Sequence, residues 1–241
     1  MKDGGIVKKF LFILASCSFF EAKDIIFING GRTAGKTTTI QELQKLLSSM
    51  GRSFWNFRVD WFADAAPDFL KYNDQLLNKK IGEEIFYYPN QYGEAIITQC
   101  IKTAGYIADC GNDMLIEEII LNEFQVQNYV NALKDHNVLL VKLYAPDQVV
   151  QERESKRQHP QQLGLRHSNQ IHKYLEYDMA IDTSKTSVQE NAHQIFEKLK
   201  FHKDTKDKAM DKLIKKYVKP TDKKSPSSTS KKTVSQVASA A

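Results

Sequence analysis

Asp24-Ile25-Ile26-Phe27-Ile28-Asn29-Gly30-Gly31-Arg32-Thr33-Ala34-Gly35-Lys36-Thr37-Thr38 is the stretch whose reading decides the fold. It opens as an apolar, β-branched run of strand length, and Gly30 to Thr37 then fits G-x-x-x-x-G-K-[ST] completely. Each position has a chemical reason. The glycines let backbone N–H groups turn inward around a phosphate. Lys36 brings a cation to the β- and γ-phosphates, and the Thr37 hydroxyl suits Mg²⁺, with Thr38 completing the set. A helix is predicted from about Thr37 to Met50, with Ile40, Leu43, Leu46 and Leu47 on one face. Its positive dipole end would point at the phosphates. Strand, glycine loop and amphipathic helix in that order are the context a phosphate loop requires.

Outward from this unit, apolar strands alternate with helical patterns, as in parallel βαβ units. Phe54–Val59, Met114–Ile116, Val138–Tyr144 and Tyr177–Ile181 read as further strands, about five in all. Helices are expected from Asp147 to Arg157 and from Val188 to Leu199. The segment from Asp60 to Ile107 reads as a long insertion or lid, mostly helical and broken near Pro89-Asn90. The fold class predicted is therefore α/β, a P-loop nucleoside-triphosphatase sheet flanked by helices.

Both ends differ from the body. In residues 1–22, Lys8 and Lys9 precede the apolar run Phe10–Ala15, which ends in Leu14-Ala15-Ser16-Cys17, a signal- or lipoprotein-type pattern. Asp3 in the basic region argues the other way, so export and a cytoplasmic location both stay open. Residues 201–219 hold a basic amphipathic helix, with Met210, Leu213, Ile214 and Tyr217 in one stripe. A helix docked on the body is the favoured reading of that stripe, and an anionic surface or protein partner is the alternative. Residues 220–241 are rich in Lys and Ser and are expected to be disordered. The core domain is placed at 23–200.

Charge follows the same division. The overall +5 hides a tail from Phe201 in which eleven lysines stand against four aspartates, a net of +7. The first 200 residues, with 23 basic and 25 acidic groups, carry −2. A basic nucleic-acid-binding body is not what this describes, and no specific nucleic acid is expected. Three cysteines do not make a disulfide framework.

Phosphoryl transfer needs a base for the attacking hydroxyl and cations over the transferred group. Ligands of parallel sheets gather at the carboxyl ends of the strands. Asp60, ending the second strand, is the candidate base. Glu117 and Glu118, ending the third, are candidates for supporting the metal alongside Thr37. Adjacent strand residues face opposite ways, so only one of the two glutamates can face the site. Arg153 and Arg157, four apart on one helical face, suit a lid closing on phosphates.

Together these residues resemble the chloramphenicol phosphotransferase-like family of P-loop kinases. Ile28–Thr37 resembles its phosphate loop, and Val59-Asp60-Trp61 resembles a Val-Asp-Ser segment whose aspartate is the proposed base. Ile116-Glu117-Glu118 stands where the family has Ile-Asp-Asp. Ile171-His172 followed by Glu176-Tyr177-Asp178 and Ile181-Asp182-Thr183 is similar to its Val-His, Glu-Tyr-Asp and Val-Asp-Thr run. Gln158-His159-Pro160 departs from the family's Gly-Asp-Arg, with Arg166 as a candidate substitute. The resemblance implies a nucleoside-monophosphate-kinase-type sheet, ATP with Mg²⁺, and phosphate transfer to a hydroxyl of a small molecule. Trp61, Phe62, Phe86, Tyr87, Tyr88 and Tyr92 would supply aromatic walls for that acceptor. A kinase for a nucleoside, cofactor or macromolecular hydroxyl is the alternative within the fold. An exported nucleotide-binding interaction protein is the alternative outside catalysis.

Overall fold

Strand β1 (Asp24–Gly30) is buried at every residue and runs through the centre of the main sheet. The computed structural model describes residues 21–65, 78–81, 84–87, 91–156 and 171–218. The sheet order is β2 (Phe54–Arg58), β5 (Asp113–Glu118), β1, β6 (Asn137–Tyr144) and β7 (Met179–Asp182), with all neighbours parallel. A parallel sheet is covered on both faces, which is why β1 is a continuous apolar run rather than an alternating one.

Alternation along β1 assigns each residue to one of two cores. Ile26 and Ile28 pack with Ile40, Leu43 and Leu47 of α1 (Lys36–Ser49) and with Ile195 and Leu199 of α6 (Val188–His202). Ile25 and Phe27 face the opposite layer. There they meet Cys100 and Ile101 of α3 (Gln91–Asp109), Tyr129 and Val130 of α4 (Glu123–Leu133), and Met210 and Leu213 of α7 (Ala209–Tyr217). The Phe27 and Tyr129 rings meet edge to face with centroids 4.8 Å apart. Helix α5 (Asp147–Ser155) follows β6.

The order of strands positions the site. The chain leaves β1 for β2 on one side, returns to β5, and then crosses to β6 on the other side of β1. Connections therefore diverge at the carboxyl end of β1, which opens a crevice there.

Among its described residues the insertion is mostly helical, as expected, with a short hairpin added. After the short helix α2 (Val59–Asp64), strands β3 (Asn78–Ile81) and β4 (Glu84–Tyr87) pair as an antiparallel hairpin before α3 begins. The Ile85-Phe86-Tyr87 run carries the β-branched and aromatic residues that favour extended backbone. Val59, expected to end the second strand, instead starts α2. Tyr177 and Asp178 precede the last strand; the Asp178 carboxylate accepts the Leu140 N–H at 2.8 Å there. Helix α4 was not among the expected elements. Its signal is a capping box: Asn122 accepts the Gln125 N–H at 2.9 Å, and Gln125 Oε1 accepts the Asn122 N–H at 3.3 Å.

Helix α7 lies on the body. Its first N–H, that of Ala209, donates to Asp178 at 2.8 Å, and Met210 and Leu213 are buried between α4 and β6. Tyr217 donates to Glu123 at 2.7 Å. Among the described residues no helix is long and apolar enough to cross a membrane. Residues 1–20, most of the 1–22 signal-type segment, and residues 219–241, which include the 220–241 tail expected to be disordered, lie outside the described residues, as do Tyr88, Arg157 and Arg166.

Candidate functional site

The loop between β1 and α1 is shaped by three backbone requirements. A Cβ at Gly30 would stand 2.5 Å from the Leu143 carbonyl oxygen, so only glycine lets β1 pass β6 this closely. Gly35 has φ of 85°, a left-handed conformation that favours glycine. Thr33 adopts φ of 66° despite its Cβ, a strained conformation held beside the phosphate cavity. Helix α1 starts at Lys36 with no side-chain cap, so its first N–H groups are left for an anion.

A cavity of about 670 Å³ opens over this loop. Gly31, Arg32, Thr33, Gly35, Lys36, Thr37 and Thr38 line it, while Gly30 and Ala34 are buried beneath. The Lys36 ammonium is folded back on the loop and donates to the carbonyls of Gly30 at 2.8 Å and Gly31 at 3.1 Å. Burial lowers its pKa, and the carboxylates of Glu117, Asp60 and Glu118 oppose that shift. The cation is thus buried and lies in the field of three acids.

Across the cavity, the Thr37 hydroxyl donates to Glu117 Oε1 at 2.8 Å. Asp60 lines the same cavity from the first turn of α2, with its side chain exposed. Glu118 points the other way. It is buried in the opposite layer, where Tyr129 donates to it at 2.5 Å and its own neighbour Ile119 N–H at 2.8 Å. Burial pushes its carboxyl up to about 7, against the pull of those two hydrogen bonds. Of the two glutamates, Glu117 therefore lies at the cavity and Glu118 away from it.

Arg153 forks onto the rim. Its Nη1 donates to Thr183 Oγ1 at 2.9 Å and to the Thr33 carbonyl at 3.2 Å, and its Nη2 to the Thr183 carbonyl at 2.8 Å. Arg32 Nε lies 3.6 Å from Glu154, joining the loop to α5.

The family description "Chloramphenicol phosphotransferase-like protein" matches residues 23–200. The chain belongs to that family. No curated protein matches its sequence. The family's fold is also that of several solved kinases. A sugar kinase from Janibacter sp. superposes with a TM-score of 0.53 at 16% identity, covering 74% of this chain and 95% of that one. The Mycobacterium tuberculosis APS kinase CysC, solved with AMPPNP and APS, gives 0.52 at 16% identity, covering 74% and 98%. A gluconokinase from Sinorhizobium meliloti gives 0.50 at 10% identity, covering 75% and 93%. At such identities the likeness is one of fold. Family and fold together support a P-loop phosphotransferase with a nucleotide site.

Other parts of the family-like run fall into place around the loop. Asn29, fully buried, donates to the Ile171 carbonyl at 2.9 Å and to Tyr177 at 2.6 Å, and accepts the Ile120 N–H at 3.0 Å. Tyr177 also meets His172 Nδ1 at 2.7 Å. Burial, with Lys142 and Lys36 nearby, lowers the His172 pKa to about 4, so the imidazole is neutral at pH 7. Of the expected aromatic walls, Phe62 packs against Phe57 in the core layer with centroids 5.7 Å apart, and Trp61 is exposed.

Sequence reasoning missed Arg58. It lines the cavity, with Nη2 donating to Thr37 Oγ1 at 3.1 Å and Nε 3.0 Å from Glu117 Oε2. The available signal was its place at the carboxyl end of a strand, two residues before Asp60. Thr183, from the Ile181-Asp182-Thr183 run, also lines the cavity, as do Thr186 and Asn191, which had no comparable signal.

The residues present fit Mg²⁺. Glu117 Oε2 is buried and has no aligned hydrogen-bond donor, despite the nearby guanidinium. A hydroxyl and a carboxylate oxygen side by side are hard donors of the kind this ion takes, the remainder coming from phosphate and water. Thr37 and Glu117 are the residues that would hold it.

Proposed function

We propose that this protein is an ATP-dependent O-phosphotransferase that moves the γ-phosphate to a hydroxyl of a small molecule. One observation carries the reading: a phosphate loop with a buried lysine, a hydroxyl–carboxylate pair and a solvent-reachable aspartate line the same cavity. A module that only binds nucleotide has no use for the aspartate. The cavity also falls in the size range typical of small-molecule sites, about 300–1,000 Å³.

In this reading the loop N–H groups and the start of α1 hold the β- and γ-phosphates. Lys36 leaves the carbonyls of Gly30 and Gly31 for phosphate oxygens, exchanging neutral acceptors for charged ones. Arg153, fixed by Thr33 and Thr183, adds a second cation at the rim. The acceptor hydroxyl lies beside Asp60, which takes its proton as the acceptor oxygen bonds to γ-phosphorus. The bond from γ-phosphorus to the β,γ-bridging oxygen breaks, and ADP leaves with that electron pair. Thr37 and Glu117 would hold Mg²⁺, which would supply charge neutralisation at the phosphates. Catalysis is thus positioning plus electrostatics, with one proton transfer.

The test is a panel of small alcohols, sugars and nucleosides incubated with the full chain and γ-labelled ATP. The reading expects label on an acceptor hydroxyl with ADP released in equal amount. Tight ATP binding without transfer to any hydroxyl, or label appearing on the protein alone, would count against it.

A further inference from the structure

Arg58 and Glu117 are cross-strand partners in the parallel register of β2 and β5, so their side chains leave the sheet side by side. The guanidinium reaches both oxygens that would meet a divalent cation, 3.1 Å from Thr37 Oγ1 and 3.0 Å from Glu117 Oε2. Arg58 Nε and Glu117 Oε2 are both buried, yet their alignment makes no hydrogen bond. The pair is held by charge and closeness rather than by a saturated fork, so a better-placed cation can replace it.

We propose that Arg58 is a built-in counter-cation for the Thr37–Glu117 pair, and that it and Mg²⁺ compete for that position. The proposal rests on the nucleotide reading above. Glu117 faces the cavity in which ATP phosphates would sit, and without a partner its negative charge repels them. With Arg58 in place, the wall is neutral even when no metal is present. Two consequences follow from the charges. Metal-free ATP binds tolerably because Arg58 masks Glu117. Mg²⁺ binds less tightly than the bare oxygen pair would allow, because Arg58 must first be displaced.

Removing Arg58 should weaken metal-free ATP binding without weakening Mg-ATP binding, a split that loss of a simple phosphate contact does not give. Calorimetric titration of the full-length protein with ATP, in EDTA and in Mg²⁺, reads this directly. Arg58→Ala is expected to weaken ATP binding in EDTA by about tenfold while leaving Mg-ATP binding equal or tighter. Adding Glu117→Gln to Arg58→Ala is expected to bring metal-free binding back to within about threefold of wild type, because the unmasked charge is gone. Equal losses in both conditions would overturn the proposal and make Arg58 an ordinary phosphate contact. No change in either condition would overturn it too. Should circular dichroism show Arg58→Ala unfolded, Arg58→Gln carries the same comparison with similar bulk and no charge. If wild-type protein binds ATP in neither condition, the nucleotide reading itself fails, a result distinct from either of the others.

Discussion

The Thr37 hydroxyl on the first turn of α1 donates a 2.8 Å hydrogen bond to Glu117 at the end of β5, 80 residues further along the chain. That bond ties the helix that follows the phosphate loop to the neighbouring strand, across the end of β1. It places a hydroxyl and a carboxylate on one wall, with Lys36 at the loop and Asp60 lining the same cavity. The parts needed for phosphoryl transfer come from three different strand ends. The strand order β2-β5-β1 is what brings them together.

Lys36 can be removed without losing the loop glycines, so Lys36→Ala separates folding from phosphate binding. A ligand present at a hundredfold over its dissociation constant stabilises the native state by about 2.7 kcal/mol. Thermal melting with and without Mg-ATP should show that gain in wild type and little of it in the variant. Equal gains would mean that phosphates do not sit at this lysine.

Glu118 gives a pH signature. Its folded carboxyl is pushed to about 7 from an ordinary 4.5, mainly by burial, so the folded state holds the proton more tightly than the unfolded state. Its contribution is fully present below pH 4.5 and is lost as pH rises through 7. The stability at stake is a few kcal/mol, of which burial sets the sign. Glu118→Gln should match wild type at low pH and become relatively more stable by pH 8, as read in urea unfolding. A wild-type-minus-variant difference that stays constant from acid to alkaline pH would show that folding does not raise the Glu118 pKa.

Leu213 decides whether α7 belongs to the body. It is buried with Met210 against Val130, Leu140 and Phe27. Leu213→Ala should cost about 2–5 kcal/mol of global stability, the usual range for a buried leucine. A loss below about 0.5 kcal/mol, the range of surface changes, would mean the stripe is covered by something other than this chain.

The central unit was legible because its signals are local. An apolar strand, a glycine loop and a helix with Ile40, Leu43 and Leu47 on one face occupy 26 consecutive residues, Asp24 to Ser49. The choice between Glu117 and Glu118 was not local. It depends on which face of β5 meets α4 and Tyr129, and α4 itself was overlooked although Asn122 and Gln125 form its capping box. Arg58 was invisible for the same reason, since its worth arises only when β2 is laid beside β5 in register with Glu117. The hairpin escaped because Asn78-Lys79-Lys80 carries little strand preference of its own, and pairing with Ile85 and Phe86 overrides it. Helical spacing offered Arg153 as a lid group, but its contacts with Thr33 and Thr183 are non-local and had no signal in the sequence.

Asp60 carries the difference between a nucleotide-binding protein and an enzyme, and Asp60→Asn tests it most directly. The full chain and the variant should be compared with γ-labelled Mg-ATP and an accepting hydroxyl, with ATP affinity measured in parallel. A positioned base is worth roughly two to four orders of magnitude, so the variant should bind ATP as wild type does and transfer phosphate about 100- to 10,000-fold more slowly. Undiminished transfer by the Asn variant would contradict the account.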